Sequence, residues 1–111
     1  MDRREAARAY YAAIDDGAYE RLRQLLADEF RQERADMTLD GPETFVAFMR
    51  DDRPDTETTH VVEAVYEAAE GVAVEGELRR ADGSVWFRFV DVFRFADGRI
   101  SFLRTYTHPS D

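Results

Sequence analysis

The sequence predicts an α+β fold, and three observations predict it. Apolar residues recur at helical spacing only in the first half of the chain. From about residue 58 onward they alternate with polar residues, as in half-buried strands. Ala-Asp-Gly turns at 81–83 and 96–98 then divide that second half into hairpins. Helices segregate from strands, which argues against a parallel α/β sheet. The 111 residues suffice for one domain with one core, residues 1–111.

Ala6, Ala9, Tyr10, Ala13 and Ile14 lie at helical spacing, and Asp15-Asp16-Gly17 stops that helix, with Gly17 suited to a left-handed cap. Tyr11 is turned about 100° from Tyr10 and falls at the helix edge. A second helix carries Tyr19, Leu22, Leu25 and Leu26 on one face, and the short link predicts a helical hairpin. Residues 30–37, FRQERADM, read as a short strand, although no period fits them well. If they are extended, Arg34 shares a face with Gln32 and Asp36. Gly41-Pro42 starts a third helix, because proline suits the first turn. Phe45, Phe48 and Met49 form its apolar stripe, and Arg53-Pro54 ends it.

Residues 58–68 contain HVVEAVYE, in which His60 shares a register with Val62, Ala64 and Tyr66. In VAVEGELRR, residues 72–80, Val72, Val74, Gly76 and Leu78 alternate with Ala73, Glu75, Glu77 and Arg79. The next strand, about 85–95, holds FRFVDVFRF, and ISFLRTYT at 100–107 makes the last. These strands are expected to form a strongly curved antiparallel meander, with the helices closing its concave side.

FRFVDVFRF places Asp91 in one register with Phe87, Phe89, Phe93 and Phe95. A carboxylate on an aromatic wall costs several kcal/mol unless it is paired or protonated. Desolvation raises its pKa, so a neutral Asp91 is a donor and an ionised one a base of useful strength. A structural Asp91, bonded to a Tyr or Arg, is the alternative, and pairing with Arg34 across the interior is a third. The opposite register carries Trp86, Val90 and Val92. With Ile100, Phe102 and Tyr106 of the last strand these predict an apolar outer patch, with Arg88, Arg94 and Arg104 among them. Such a patch fits an isologous homodimer. Ser101, Leu103, Thr105 and Thr107 are left to line the interior.

The net charge of −9 comes from 24 acidic and 15 basic residues, every basic one an arginine. It disfavours generic binding to nucleic acid or to anionic membrane. A haloadapted cytosol and a high-GC genome both account for acidity without lysine. The absence of cysteine removes disulfides and thiol chemistry. The N-terminus MDRREAARAYY lacks the apolar core of a signal peptide, and no apolar run approaches the ~20 residues of a membrane span. The expected location is the cytoplasm. No histidine pair lies at ligand spacing, and no glycine-rich phosphate loop is present. No metal and no cofactor is therefore expected. Asp15-Asp16 and Asp51-Asp52 read as solvated helix ends.

Three stretches resemble the nuclear transport factor 2-like superfamily, especially its SnoaL-like members: AYYAAIDDGAYERLRQLLADEF, HVVEAVYE and FVDVFRFADGRISFLRTY. The resemblance implies a cone-shaped α+β barrel, with three N-terminal helices packed on a curved antiparallel sheet. It implies an apolar pocket open at one end, and in many members a homodimer through the outer sheet face. The superfamily includes ketosteroid isomerases, polyketide cyclases, scytalone dehydratase and limonene epoxide hydrolase, as well as non-catalytic domains, so the fold implies a pocket rather than a reaction.

Asp91 matches the isomerase carboxyl that donates to an oxyanion, and Tyr10 matches the first-helix tyrosine beside it. Arg34 stands where the isomerases carry their general-base aspartate, a departure that speaks against steroid enolisation. His60 is a candidate because dehydratase relatives use a pocket histidine. The candidate catalytic residues are thus Asp91, Tyr10, Arg34 and His60. Phe30, Phe45, Phe48, Met49, Phe87, Phe89, Leu103 and Thr105 are the candidate ligand-binding residues. The expected activity is acid/base chemistry on a small apolar carbonyl compound. The alternatives are a binding module for an apolar ligand and a dimeric interaction domain whose pocket its own side chains fill.

Overall fold

The computed structural model describes residues 1–109. The first helix, α1 (Arg3–Asp15), is opened by a capping box. Asp2 accepts the Glu5 N–H at 2.8 Å, and the Glu5 carboxylate accepts the Asp2 N–H at 3.0 Å. It closes as expected at Gly17. The Ala18 N–H reaches Ala13 O at 2.8 Å and the Gly17 N–H reaches Ile14 O at 3.1 Å, a Schellman motif. The second helix, α2 (Tyr19–Leu25), follows at once and buries Leu22 and Leu25.

Residues 30–37 do not form one strand. Strand β1 (Arg31–Glu33) ends where the Arg34 N–H bonds Met37 O at 2.9 Å, and the chain folds back as β2 (Thr38–Asp40). The polar run that fitted no period is a turn. Helix α3 (Pro42–Ala47) has proline in its first turn and widens into a π-helical turn, Phe48–Asp52. Arg53 fastens that turn to the helical hairpin. Its guanidinium donates to Met49 O at 2.6 Å and to Tyr19 Oη at 3.1 Å.

Strands β3 (Thr59–Ala68), β4 (Gly71–Arg79), β5 (Val85–Ala96) and β6 (Arg99–Pro109) form the expected meander. The β5–β6 link is a two-residue turn with positive φ at both Asp97 (53°) and Gly98 (80°), the twist that suits a tight hairpin. The sheet is mixed rather than antiparallel throughout. Its order is β2-β1-β6-β5-β4-β3, and β1 runs parallel to β6, with Gln32 opposite Leu103.

Three bulges shift the expected registers, because strict alternation cannot anticipate an extra residue. An extra Glu63 in β3 divides the His60 register: Val62 and Val65 pack on the core, whereas Tyr66 is 57% exposed. An extra Ser101 in β6 turns Ile100 into the core, where it is fully buried, instead of onto the outer patch. An extra Trp86 in β5 sits at the hairpin end with the Arg80 guanidinium 4.3 Å above its ring. Gly76 of β4 is required by close packing. A Cβ there would lie 2.3 Å from Val61 O and 2.9 Å from Phe89 Cζ.

The core lies between the helices and one face of the sheet, centred on Tyr10, Tyr11, Ile14, Phe30, Phe45 and Phe93. The other face carries ion pairs that tie Arg88 to Glu63, Arg94 to Glu70 and Arg104 to Glu33. Exposed pairs of this kind are screened by solvent and add little to stability.

Candidate active site

Asp91 lies in the middle of β5, between Val74 of β4 and Thr105 of β6. Antiparallel partners on one face stand about 5 Å apart. The β5–β6 register alone therefore brings a hydroxyl to this carboxylate, and Thr105 Oγ1 donates to Asp91 Oδ1 at 2.6 Å. Helix α1 supplies the other donor, with Tyr11 Oη reaching Asp91 Oδ2 at 2.6 Å. Both lengths fall in the range of hydroxyl bonds to an ionised carboxylate. Gln32 of β1 extends the chain by donating from Nε2 to Thr105 Oγ1 at 2.9 Å. The Gln32 Oε1 is buried and has no partner among the described residues.

Asp91 is 5% exposed. Burial pushes its carboxyl above the ordinary aspartate value; the bonds from Thr105 and Tyr11, and the positive charge of Arg34, oppose that rise without cancelling it. Burial, and then the charge of Asp91, holds the Tyr10 and Tyr11 phenols well above the usual tyrosine range. Both phenols therefore keep their protons at neutral pH, and that of Tyr11 donates to Asp91.

A second polar pair adjoins the first. Asp15, the last residue of α1, accepts the His60 N–H at 2.9 Å on Oδ2, and its Oδ1 lies 2.6 Å from His60 Nδ1. An acidic residue at a helix C-terminus opposes the helix dipole, so the His60 ring offsets an unfavourable position. The ring centroid of His60 is 4.9 Å from that of Tyr11 and 5.6 Å from that of Phe89. Asp15 is thus a partner in the site and not a solvated helix end.

The structure corrects two expected contacts of Asp91. The helix donor is Tyr11, not Tyr10, and Tyr11 is buried rather than placed at the helix edge. The buried face of α1 is wide enough for two rows, Ala6-Tyr10-Ala13 and Ala7-Tyr11-Ile14. Tyr10 packs edge-on to Phe93, with ring centroids 5.3 Å apart. Arg34 does not pair with Asp91. Its guanidinium grips Asp36 with bonds of 3.0 and 3.1 Å and lies 5.4 Å from the centre of the Phe48 ring.

Phe30, Phe45, Met49 and Leu103 are packed in the core. Phe89 is buried against Tyr11 and His60, and Phe48 and Phe87 are half-buried at the core's margin. A cavity of about 460 Å³ lies at the β3–β4 turn, between Tyr66, Ala73 and Val92. A cleft of about 330 Å³ lies between the β1–β2 turn and the far half of β6, with Arg34, Thr105 and Thr107 in its wall. Among the described residues no group of three or more His, Asp or Glu side chains is placed to hold a metal ion. Nor is any helix among them long and apolar enough to cross a membrane.

Sequence reasoning missed Tyr11, Gln32 and Asp15. The signal for Tyr11 was present in the Ala7, Tyr11, Ile14 spacing. That for Asp15 was an acid at the wrong end of a helix. Gln32 carried none, because its inward direction depends on the parallel pairing of β1 with β6.

The helices, the mixed sheet and the hydroxyl-bound carboxyl facing them define a small α+β domain with its polar chemistry turned inward. The chain belongs to the SnoaL-like domain family, whose profile matches residues 7–103. Among solved structures it is similar to a candidate ketosteroid isomerase from Kribbella flavida, at 21% identity and TM-score 0.85, covering 97% of this chain and 78% of that one. It is also similar to a candidate SnoaL-like polyketide cyclase from Jannaschia, at 21% identity and TM-score 0.77, covering 93% and 83%. A nuclear transport factor 2-like protein of unknown function from Cytophaga hutchinsonii matches at 16% identity and TM-score 0.83, covering 98% and 92%. At these identities the likeness is one of fold. No curated protein matches the chain.

Proposed function

We propose that the protein carries out acid/base chemistry on a small apolar carbonyl compound, of the isomerase, cyclase or dehydratase type. One observation carries the reading: a carboxyl group 5% exposed, with each oxygen bonded to a hydroxyl from a different element. While Asp91 is ionised, both hydroxyls point at it. Once it takes up a proton, Asp91 donates to Tyr11 Oη, and the Tyr11 O–H is released to donate outward. A carbonyl oxygen accepting that bond is stabilised as its α-carbon loses a proton. His60 is the proton acceptor. An ionised Asp15 only accepts, so the proton sits on Nδ1 and the Nε2 lone pair is free. Returning that proton to another carbon is isomerisation; delivering it to a departing hydroxyl is dehydration. Tyr10 packs against the Tyr11 ring, and Arg34 adds positive charge at the rim.

Solvent deuterium exchange into β-tetralone, an apolar ketone with acidic α-protons, tests this by NMR. The protein is expected to accelerate exchange over buffer, and Tyr11→Phe or His60→Gln to reduce the acceleration by about 10²-fold or more. No acceleration by the wild-type protein would refute it. A second reading, an interaction domain with a filled interior, is favoured by Phe30, Phe45 and Phe93, which are fully buried. It predicts that neither β-tetralone nor any other apolar probe binds. A binding module without chemistry predicts binding with no exchange. The outer face supports a homodimer: Val90 and Tyr106 are cross-strand neighbours, 37% and 53% exposed, on a strongly acidic chain.

A further inference from the structure

We infer that the ligand of this site carries a hydrogen-bond donor, a hydroxyl, that docks on Gln32 Oε1. The inference rests on the carbonyl reading above and adds to it a second anchoring point. Gln32 is 4% exposed, and its Oε1 has no partner, whereas its Nε2 is engaged by Thr105.

While Asp91 is ionised, the amide cannot relieve this by rotating. With Oε1 turned toward Thr105, the Thr105 hydroxyl would have to donate to Gln32. That would remove its bond to Asp91 Oδ1 and leave a buried carboxyl oxygen unpaired. The direction of the chain, Gln32 to Thr105 to Asp91, therefore leaves Oε1 as its buried, unpaired acceptor. Buried polar atoms without partners are rare in folded proteins and mark unfilled recognition points or internal waters.

The backbone provides an approach. Strand β1 ends at Glu33, opposite Arg104, while β6 runs on to Pro109. The stretch of β6 beyond that point borders the 330 Å³ cleft, and Thr105 forms part of its wall. Gln32 is not in that wall but lies directly behind it, bonded to Thr105, so a ligand must pass inward beyond Thr105 to reach the Gln32 carbonyl. The ligand's own hydroxyl then satisfies Oε1, and its ketone is directed along the Thr105–Asp91–Tyr11 chain. A ligand without that hydroxyl leaves Oε1 unpaired.

The test uses β-tetralone and its ring-hydroxylated isomers, one for each free ring position, with affinity measured by calorimetry. At least one isomer is expected to bind the wild-type protein about 10-fold more tightly than β-tetralone. Gln32→Met, which keeps the length but loses Oε1 together with the Nε2 bond to Thr105, is expected to abolish that preference, read as the ratio of the two affinities. Should Gln32→Met fail to fold, the Gln32 side-chain amide resonances of the wild-type protein serve instead, and they should shift with the preferred isomer and not with β-tetralone. β-Tetralone binding with no preference for any isomer, or a preference that survives in Gln32→Met, overturns the inference and leaves the carbonyl reading intact. Failure of β-tetralone itself to bind overturns both.

Discussion

Tyr11→Phe removes one oxygen from the site and nothing else. The ring remains, with its contacts to Tyr10, Phe89, Phe93 and His60. What is lost is a 2.6 Å bond to a carboxyl that is 5% exposed. Hydrogen bonds to buried charged groups contribute about 1.5–3 kcal/mol, against about 0.5–1.5 between neutral partners. Over 111 residues, an unfolding entropy of about 2.1 cal/mol/K per residue amounts to about 0.23 kcal/mol/K. A loss of about 2 kcal/mol at pH 8 therefore lowers Tm by about 9 °C. At pH 4 Asp91 is closer to its neutral form, and the loss should shrink to about half. Circular dichroism melts at both pH values measure this, with Tyr10→Phe as the control that leaves the Asp91 bond in place. A Tyr11→Phe cost no larger than that of Tyr10→Phe at pH 8, or one that does not depend on pH, would refute the strength assigned to this bond.

Asp91→Asn is expected to fold, since an amide of the same shape keeps one acceptor for Tyr11 or Thr105. Its stability relative to wild type should rise with pH. The folded Asp91 carboxyl has a raised pKa and binds its proton more tightly than the unfolded chain. Wild type thus loses stability as pH climbs from about 3.9, the unfolded aspartate value, through the raised folded value. Chemical denaturation across that range should find the difference moving in that direction; the opposite slope would mean that the site favours the carboxylate. Gly76→Ala should destabilise by at least about 1–3 kcal/mol, because the new methyl meets Val61 O at 2.3 Å, a backbone atom that cannot swing aside. An unchanged urea midpoint would contradict that packing. Val90→Glu combined with Tyr106→Glu should yield a monomer in light scattering if the outer face joins two copies. An unchanged mass would place any interface elsewhere.

The helices and the meander were legible because each depends on local signals. Gly17, Gly41-Pro42 and Asp97-Gly98 stand where helices and strands begin or end. What escaped depends on long-range pairing or on a single inserted residue. The parallel joining of β1 to β6 unites residues about 70 positions apart, and it alone turns Gln32 toward Thr105. Glu63, Trp86 and Ser101 each shift a register by one, so that Ile100 moved from the outer patch to the core. Asp91 itself was legible as the polar residue on an aromatic wall. Its helix partner was misplaced by one residue, about 100° of helix rotation, because both tyrosines lie on a buried face broader than a single row.

Tyr11, backed by Asp91, is the group proposed to donate to a ligand oxygen. The 13C resonance of carbonyl-labelled β-tetralone bound to the protein reads that bond directly. A downfield shift is expected on binding to wild type, and it should disappear in Tyr11→Phe with binding retained. An equal shift in both proteins, or a bound ketone with no shift, would contradict that role for Tyr11.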